Sequence, residues 1–319
     1  MESRGVYRAT RCSFALGASR RDAKGAWPIK DGLAGLYKTR LPQISSARAR
    51  IRTKITPQWM IYTLAPIGLI HSLYSMGFVA TDWKAAPPEF SLPDNEIAVW
   101  RASLDCEGAA LRNLETLLSA DEISRADRFH FPRDRARFVA GRGILRTLLG
   151  AYLKRDPRSL TFRYGPQGKP KLEQNQGNSL HFNLSHKEGL GVYAFARQRQ
   201  LGIDVEAITT DFPGEDIARR FFSPRELQEL VGLSPDLRAE AFFLAWTRKE
   251  AYIKVQGQGL HIKLDSFDVT LTPGEPARFL RGIAPEWQIF TFWAGVTHPG
   301  ALVCDGASPV VLRLFSWKA

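Results

Sequence analysis

The 319-residue chain is poor in cysteine. Cys12, Cys106 and Cys304 are odd in number, far apart and form no C-x-x-C pair. That excludes a disulfide framework and a cysteine zinc site, and it fits a reducing, cytoplasmic setting. Histidine is scarce too. None of the six makes an H-x-H or H-x-x-x-H ligand pair, so histidine metal motifs are absent. Acidic residues are nearly missing at the start. Residues 1–59 carry 13 Lys and Arg against Glu2, Asp22 and Asp31, so most of the formal net charge of +12 sits there. The remainder is close to neutral, and the high pI therefore says little about partners of the folded part. Charge of either sign is absent from Ile55 to Thr81. The length would allow a membrane span, but Pro57, Pro66, Gly68, His71 and Gly77 interrupt it, and no membrane partner is expected. No clean internal sequence repeat is visible.

What is present is ordinary globular composition. Hydrophobic residues make up 44% and charged residues 24%, enough to bury a core in one large or two modest domains. The basic, acid-poor segment 1–59 lacks sustained periodicity and is expected to be disordered. It reads as a transit-like leader, a nucleic-acid-binding arm, or an extension upstream of a natural start at Met60 or Met76. The last reading is favoured because nothing there cooperates with the later pattern. A proline-rich lead-in loop follows.

Regular structure is expected from about Ile97. IAVWRASL reads as a strand, and SADEISRADRF as a helix with Ser119 and Glu122 forming a capping box. PRDRARFVAGRGILRTLLGAYL is a longer helix, with Phe138, Ile144, Leu145, Leu148 and Leu149 at helical spacing. SLHFNLSH and LGVYAFA read as a hairpin turning at His186–Gly189, and GIDVE as the next strand. Helices are then expected over FPGEDIARRFF, SPRELQELVGL and PDLRAEAFFLAWTRKEAYIKVQG, and strands over SFDVTL, WQIFTFWAG, HPGALVCDG and VVLRLFSW. Strand, helices, strands occurs twice. The fold class is therefore α+β, two similar halves split near Arg197. The boundaries are an extension and lead-in loop at 1–90, a first half at 91–196 and a second at 197–319.

In LGIDVE, strand alternation puts Asp204 and Glu206 on one face. Two adjacent carboxylates repel, and one stays protonated unless a cation joins them. In WTRKEAYIK, Trp246, Glu250 and Lys254 stand at i, i+4 and i+8 on one helix face. A third carboxylate can thus face the strand pair, giving a hard-oxygen site suited to Mg²⁺ or Mn²⁺. Taken singly, Glu250–Lys254 is also compatible with a surface ion pair, and Asp204 with Glu206 with an exposed strand face.

Together these texts resemble a known family. GIDVE at 202–206 and WTRKEAYIK at 246–254 match the paired signature of Sfp-type 4′-phosphopantetheinyl transferases. QGKPKL at 167–172, FNLSH at 182–186, RFFSPRE at 220–226, GLHIKLDSFDV at 259–269 and FPRDRARFVAGRGILR at 131–146 resemble its other segments, in the family's order. The resemblance spans about residues 97–315. It implies a monomeric, pseudo-two-fold enzyme that moves the 4′-phosphopantetheine arm of coenzyme A onto a serine of an apo acyl or peptidyl carrier protein. Adenosine 3′,5′-bisphosphate is released. It further implies Mg²⁺ held by Asp204, Glu206 and Glu250, proton removal by Glu250, and leaving-phosphate neutralisation by Lys254. Ser185, His186, Lys169 and Arg133 are implied as coenzyme A contacts, with His186 at the 3′-phosphate. Arg137 and Arg142 match family positions but are equally compatible with packing or salt bridging, and Trp246 and Phe243 are expected in the core. Two rival functions are kept. One is a Mg²⁺-dependent coenzyme A pyrophosphate hydrolase, which the carboxylates alone would allow; the other is nucleic-acid binding through the basic segment.

Overall fold

The chain, in a computed structural model, is described over residues 81–165, 168–173, 180–209, 214–257 and 262–318. The expectations for the basic segment and for most of the uncharged stretch lie outside these residues. No helix among the described residues is long and apolar enough to cross a membrane.

The first half is built on a sheet of five strands. β1 (Lys84–Ala85), β2 (Glu96–Ser103), β5 (Leu180–Lys187) and β6 (Leu190–Arg197) belong to it, in the order β1-β12-β2-β6-β5. The fifth member, β12 (Val311–Ser316), comes from the far end of the chain and pairs parallel with both β1 and β2. Between β2 and β5 run α1 (Gly108–Glu115), α2 (Ala120–Ala126), α3 (Pro132–Leu153) and the short hairpin β3 (Phe162–Tyr164) with β4 (Pro170–Leu172). α3 has Pro132 in its first turn, where the missing N–H costs nothing. Ile144, Leu145, Leu148, Leu149 and Tyr152 of α3 pack with Trp100, Phe182 and Phe195 of the sheet. The β5–β6 turn is tight. Glu188 (φ 50°) and Gly189 (φ 84°) are both left-handed, as two-residue hairpins of this hand require. His186 is therefore a strand residue opposite Gly191, not part of the turn.

The second half repeats the plan. β7 (Leu201–Val205), β10 (Gln288–Gly295) and β11 (His298–Cys304) form a three-stranded antiparallel sheet in the order β10-β11-β7. α4 (Gly214–Phe221), α5 (Pro224–Gly232) and α6 (Pro235–Gln256) lie between, followed by the small pair β8 (Asp268–Val269) and β9 (Phe279–Arg281). α6 begins with Pro235 and ends at Gly257, which caps it with φ 66°. Trp246 and Phe243 of α6 join the core of this half, as the sequence predicts.

The two sheets meet face to face. Ile97, Val99, Val192 and Ala194 pack with Ile203, Val205, Phe292 and Leu302 in a shared apolar layer. The structure thus shows two pseudo-symmetric α+β halves, each with one 22-residue helix on the outer face of its sheet. The lead-in segment is packed too: Phe90 stacks on Trp100 at 5.3 Å, and the Trp83 indole donates to the Trp293 carbonyl at 2.7 Å.

Candidate active site

β7 is an apolar strand that carries Asp204 and is followed directly by Glu206, and both carboxylates are set by where it lies. Ile203 and Val205 enter the layer between the sheets. Asp204 and Glu206 turn toward β5, which runs alongside in the same direction. The Asn183 side chain accepts from the Ile203 N–H at 2.8 Å, Ser185 Oγ donates to Asp204 Oδ1 at 2.9 Å, and Lys187 Nζ stands 3.0 Å from Glu206 Oε2. Two residues two apart on one strand thus meet two residues two apart on the other. This is not an exposed strand face: Asp204 is 5% and Glu206 2% exposed.

α6 closes the third side. Gly202 lets it approach, since a side-chain carbon there would overlap the Ala251 carbonyl and stand 2.6 Å from the Val255 amide. Lys254 then reaches across, donating at 2.7 Å to both Asp204 Oδ1 and Ser185 Oγ. Its ion partner is therefore Asp204 on the strand. Asp204 Oδ2 is buried with no hydrogen-bond partner. Glu206 is pushed up to about 7 by burial and by the neighbouring Asp204 charge, with Lys187 and Lys254 pulling it back. Glu250 is half-buried on α6, one turn before Lys254. Among the described residues no three His, Cys, Asp or Glu side chains stand close enough together to hold a metal ion, so the third carboxylate does not close a finished cluster here.

Beside this knot lies a cavity of about 340 Å³ between the start of α3 and the β5–β6 hairpin. Arg133, Arg137, Ser185, His186 and Lys187 line it. Arg133 is exposed, 3.8 Å from Asp134. Arg137 is held by Asp105 through two bonds of 2.6 and 3.1 Å. Arg142 is a different matter. It is fully buried, and together with Arg146 it grips Glu122 under the Phe162 ring, which gives it a packing role.

Lys169, implied by the resemblance as a coenzyme A contact, lies in the β3–β4 loop with its ammonium turned to backbone carbonyls. Its ammonium donates to the carbonyls of Lys254 (2.6 Å), Leu201 (3.3 Å) and Val255 (3.3 Å). Burial lowers its pKa to about 8. Lys187 was not singled out by the sequence. The signal was available, since it stands two residues after Ser185 on the same strand face.

A profile described as the 4′-phosphopantetheinyl transferase superfamily matches residues 200–302, and one described as the N-terminal part of 4′-phosphopantetheinyl transferase matches residues 100–198. The 4′-phosphopantetheinyl transferase HetI of a Nostoc species is 43% identical over 65% of this chain and 86% of its own. The chain belongs to the 4′-phosphopantetheinyl transferase superfamily. The transferase Sfp of Bacillus subtilis is 31% identical over 49% of this chain and 67% of its own. A holo-(acyl-carrier-protein) synthase structure from Bacillus anthracis, in complex with coenzyme A, overlaps 34% of this transferase-family chain and 96% of its own at 18% identity. Its TM-score of 0.27 carries no argument.

Proposed function

We propose that the protein is an Sfp-type holo-[acyl-carrier-protein] synthase, which transfers the 4′-phosphopantetheine of coenzyme A to a serine of an apo carrier protein. The observation that carries this reading is the Ser185–Asp204–Lys254 knot, with a buried, unpartnered carboxylate oxygen, beside a cavity lined by Arg133 and His186. In the reaction the carrier serine oxygen bonds to the phosphorus next to the pantetheine. The bond from that phosphorus to the bridging oxygen breaks, and adenosine 3′,5′-bisphosphate leaves with the electron pair.

Such a step needs alignment and charge neutralisation more than covalent help. Asp204 and Glu206 fit a hard divalent cation. They supply only oxygen donors, one of them orphaned, and their mutual repulsion is relieved by positive charge. With Glu250 they would hold Mg²⁺ (or Mn²⁺), which when bound neutralises the pyrophosphate. Glu250 accepts the serine proton, directly or through a water. Lys254, already at the knot, offers its ammonium to the leaving phosphate. Arg133 and His186 face the cavity that would take the remaining phosphate of coenzyme A.

Both halves of one chain supply the site, which supports a monomer. Free, buried Cys106 and Cys304 accord with a reducing cytoplasm. The test is to incubate the protein with coenzyme A, Mg²⁺ and a panel of apo carriers, then weigh the carriers. A carrier that gains one phosphopantetheine supports the reading. Release of the adenosine bisphosphate with no gain on any carrier would favour a coenzyme A pyrophosphate hydrolase instead.

A further inference from the structure

The lysine of the GKP loop makes contacts that phosphate binding does not explain. An ammonium has three N–H donors, and Lys169 meets three carbonyls: Leu201 at the start of β7, and Lys254 and Val255 in the last turn of α6. The last carbonyls of a helix lack intrahelical partners and form the negative end of its dipole. The Gly257 cap returns its own N–H to the Ile253 carbonyl, leaving the carbonyls of Lys254 and Val255 for the lysine.

Lys169 therefore joins three separate pieces of chain: the β3–β4 loop of the first half, the first residue of β7 and the final turn of α6. Two of those pieces carry the proposed chemistry. β7 carries Asp204 three residues beyond Leu201, and Lys254 is itself one of the clamped residues. Gly202 sets how close α6 comes to β7. A contact that grips both elements at their ends sets how far α6 can slide or fray along the strand.

We propose that Lys169 is a positioning residue: its clamp fixes the end of α6 against β7 in the register at which Lys254 reaches Asp204 and Ser185. This rests on the transferase reading for its activity readout, but the clamp itself is testable without it. In Lys169→Met, amide hydrogen exchange at Val255–Gly257 should accelerate relative to the rest of α6, whether or not the protein transfers anything. For activity, a misplacement of about 1 Å costs roughly a hundredfold. Lys169→Met should lower kcat roughly ten- to a hundredfold while KM for coenzyme A stays within about threefold. The loss should be much smaller when Lys169→Met is added to Lys254→Met, because both act through one ammonium.

Unchanged exchange at the α6 end would overturn the proposal. So would a KM effect with kcat intact, which would mean direct contact with coenzyme A, or a fully additive loss in the double variant. Should Lys169→Met fail to fold, Lys169→Arg is read in the same way, since a planar guanidinium keeps the charge but cannot place three donors on the same oxygens. Failure of the wild-type protein to modify any carrier counts against the transferase reading and leaves the exchange result to decide the clamp.

Discussion

At the scale of single residues, the site is a problem in placing charge. Two carboxylates are buried side by side, and two lysines from different elements counter them. Glu206 remains the less comfortable of the two. Its folded value of about 7 lies above its ordinary 4.5, so between these values the native state binds more protons than the unfolded chain. Stability from Glu206 is therefore complete below about pH 4.5 and is lost as pH rises toward 7. At about 1.4 kcal/mol per unit, the loss is on the order of 3 kcal/mol. Urea unfolding in metal-free buffer should show wild type weakening from pH 5 to 7 and Glu206→Gln changing much less. An equal pH dependence in both would remove Glu206 as the cause. Asp204→Asn should move the wild-type dependence to lower pH, because the Asp204 charge is one of the two causes that raise Glu206. The same change should lower transfer by roughly a hundredfold or more, since it removes a proposed metal donor and the ion partner of Lys254. Near-normal turnover in Asp204→Asn would dismiss the carboxylate site.

At the scale of elements, the sequence reveals what is periodic and hides what is relational. α3 and α6 are legible because apolar spacing and a first-turn proline agree over 22 residues. The capping box of α2, Ser119 with Glu122, is legible as a local pattern, and the structure shows the same box in α5 between Ser223 and Glu226. α1 is missed because Glu107 at its start makes no side-chain cap. β3 and β4 are missed because three residues carry no alternation to read. The strand pair Asp204 and Glu206 is legible through period two, yet its burial is not, because burial depends on β5 and α6 arriving from distant sequence. Gly202 states that dependence most sharply. Gly202→Ala should drive β7 from α6 and cost roughly 2 kcal/mol or more. Gly232, with nothing within 4 Å of an added carbon, should tolerate alanine within about 0.5 kcal/mol. Thermal unfolding of the two variants side by side checks this, and equal midpoints would mean that β7 and α6 are not tightly held together.

At the scale of the whole molecule, the first and last described strands are woven into the first sheet in a way no local pattern announces. β12 crosses from the second half to pair with β2, and β1 then pairs with β12. The segment before β2 is fastened to this seam. Trp83 meets Phe292 edge-on at 6.0 Å under the Arg101 guanidinium at 4.9 Å, and Arg197 donates to the Leu92 carbonyl at 3.1 Å. A boundary at residue 90 therefore cuts through packed structure, whereas one at Met76 leaves every described contact intact. Two truncations separate these cases. A chain beginning at Met76 discards ten units of net positive charge and should unfold at the same temperature as the full chain. A chain beginning at Ser91 loses Trp83 and Phe90 and should be weaker by roughly 3 kcal/mol, the usual cost of removing a packed large aromatic. Carrier modification by the Met76 chain should match the full chain at physiological salt, where charges beyond about 8 Å are screened. At low salt it should be slower if the carrier is acidic, because the basic segment then no longer draws the two together. A Met76 chain that melts early, or that is impaired equally at both salt concentrations, would assign residues 1–75 a part in the fold.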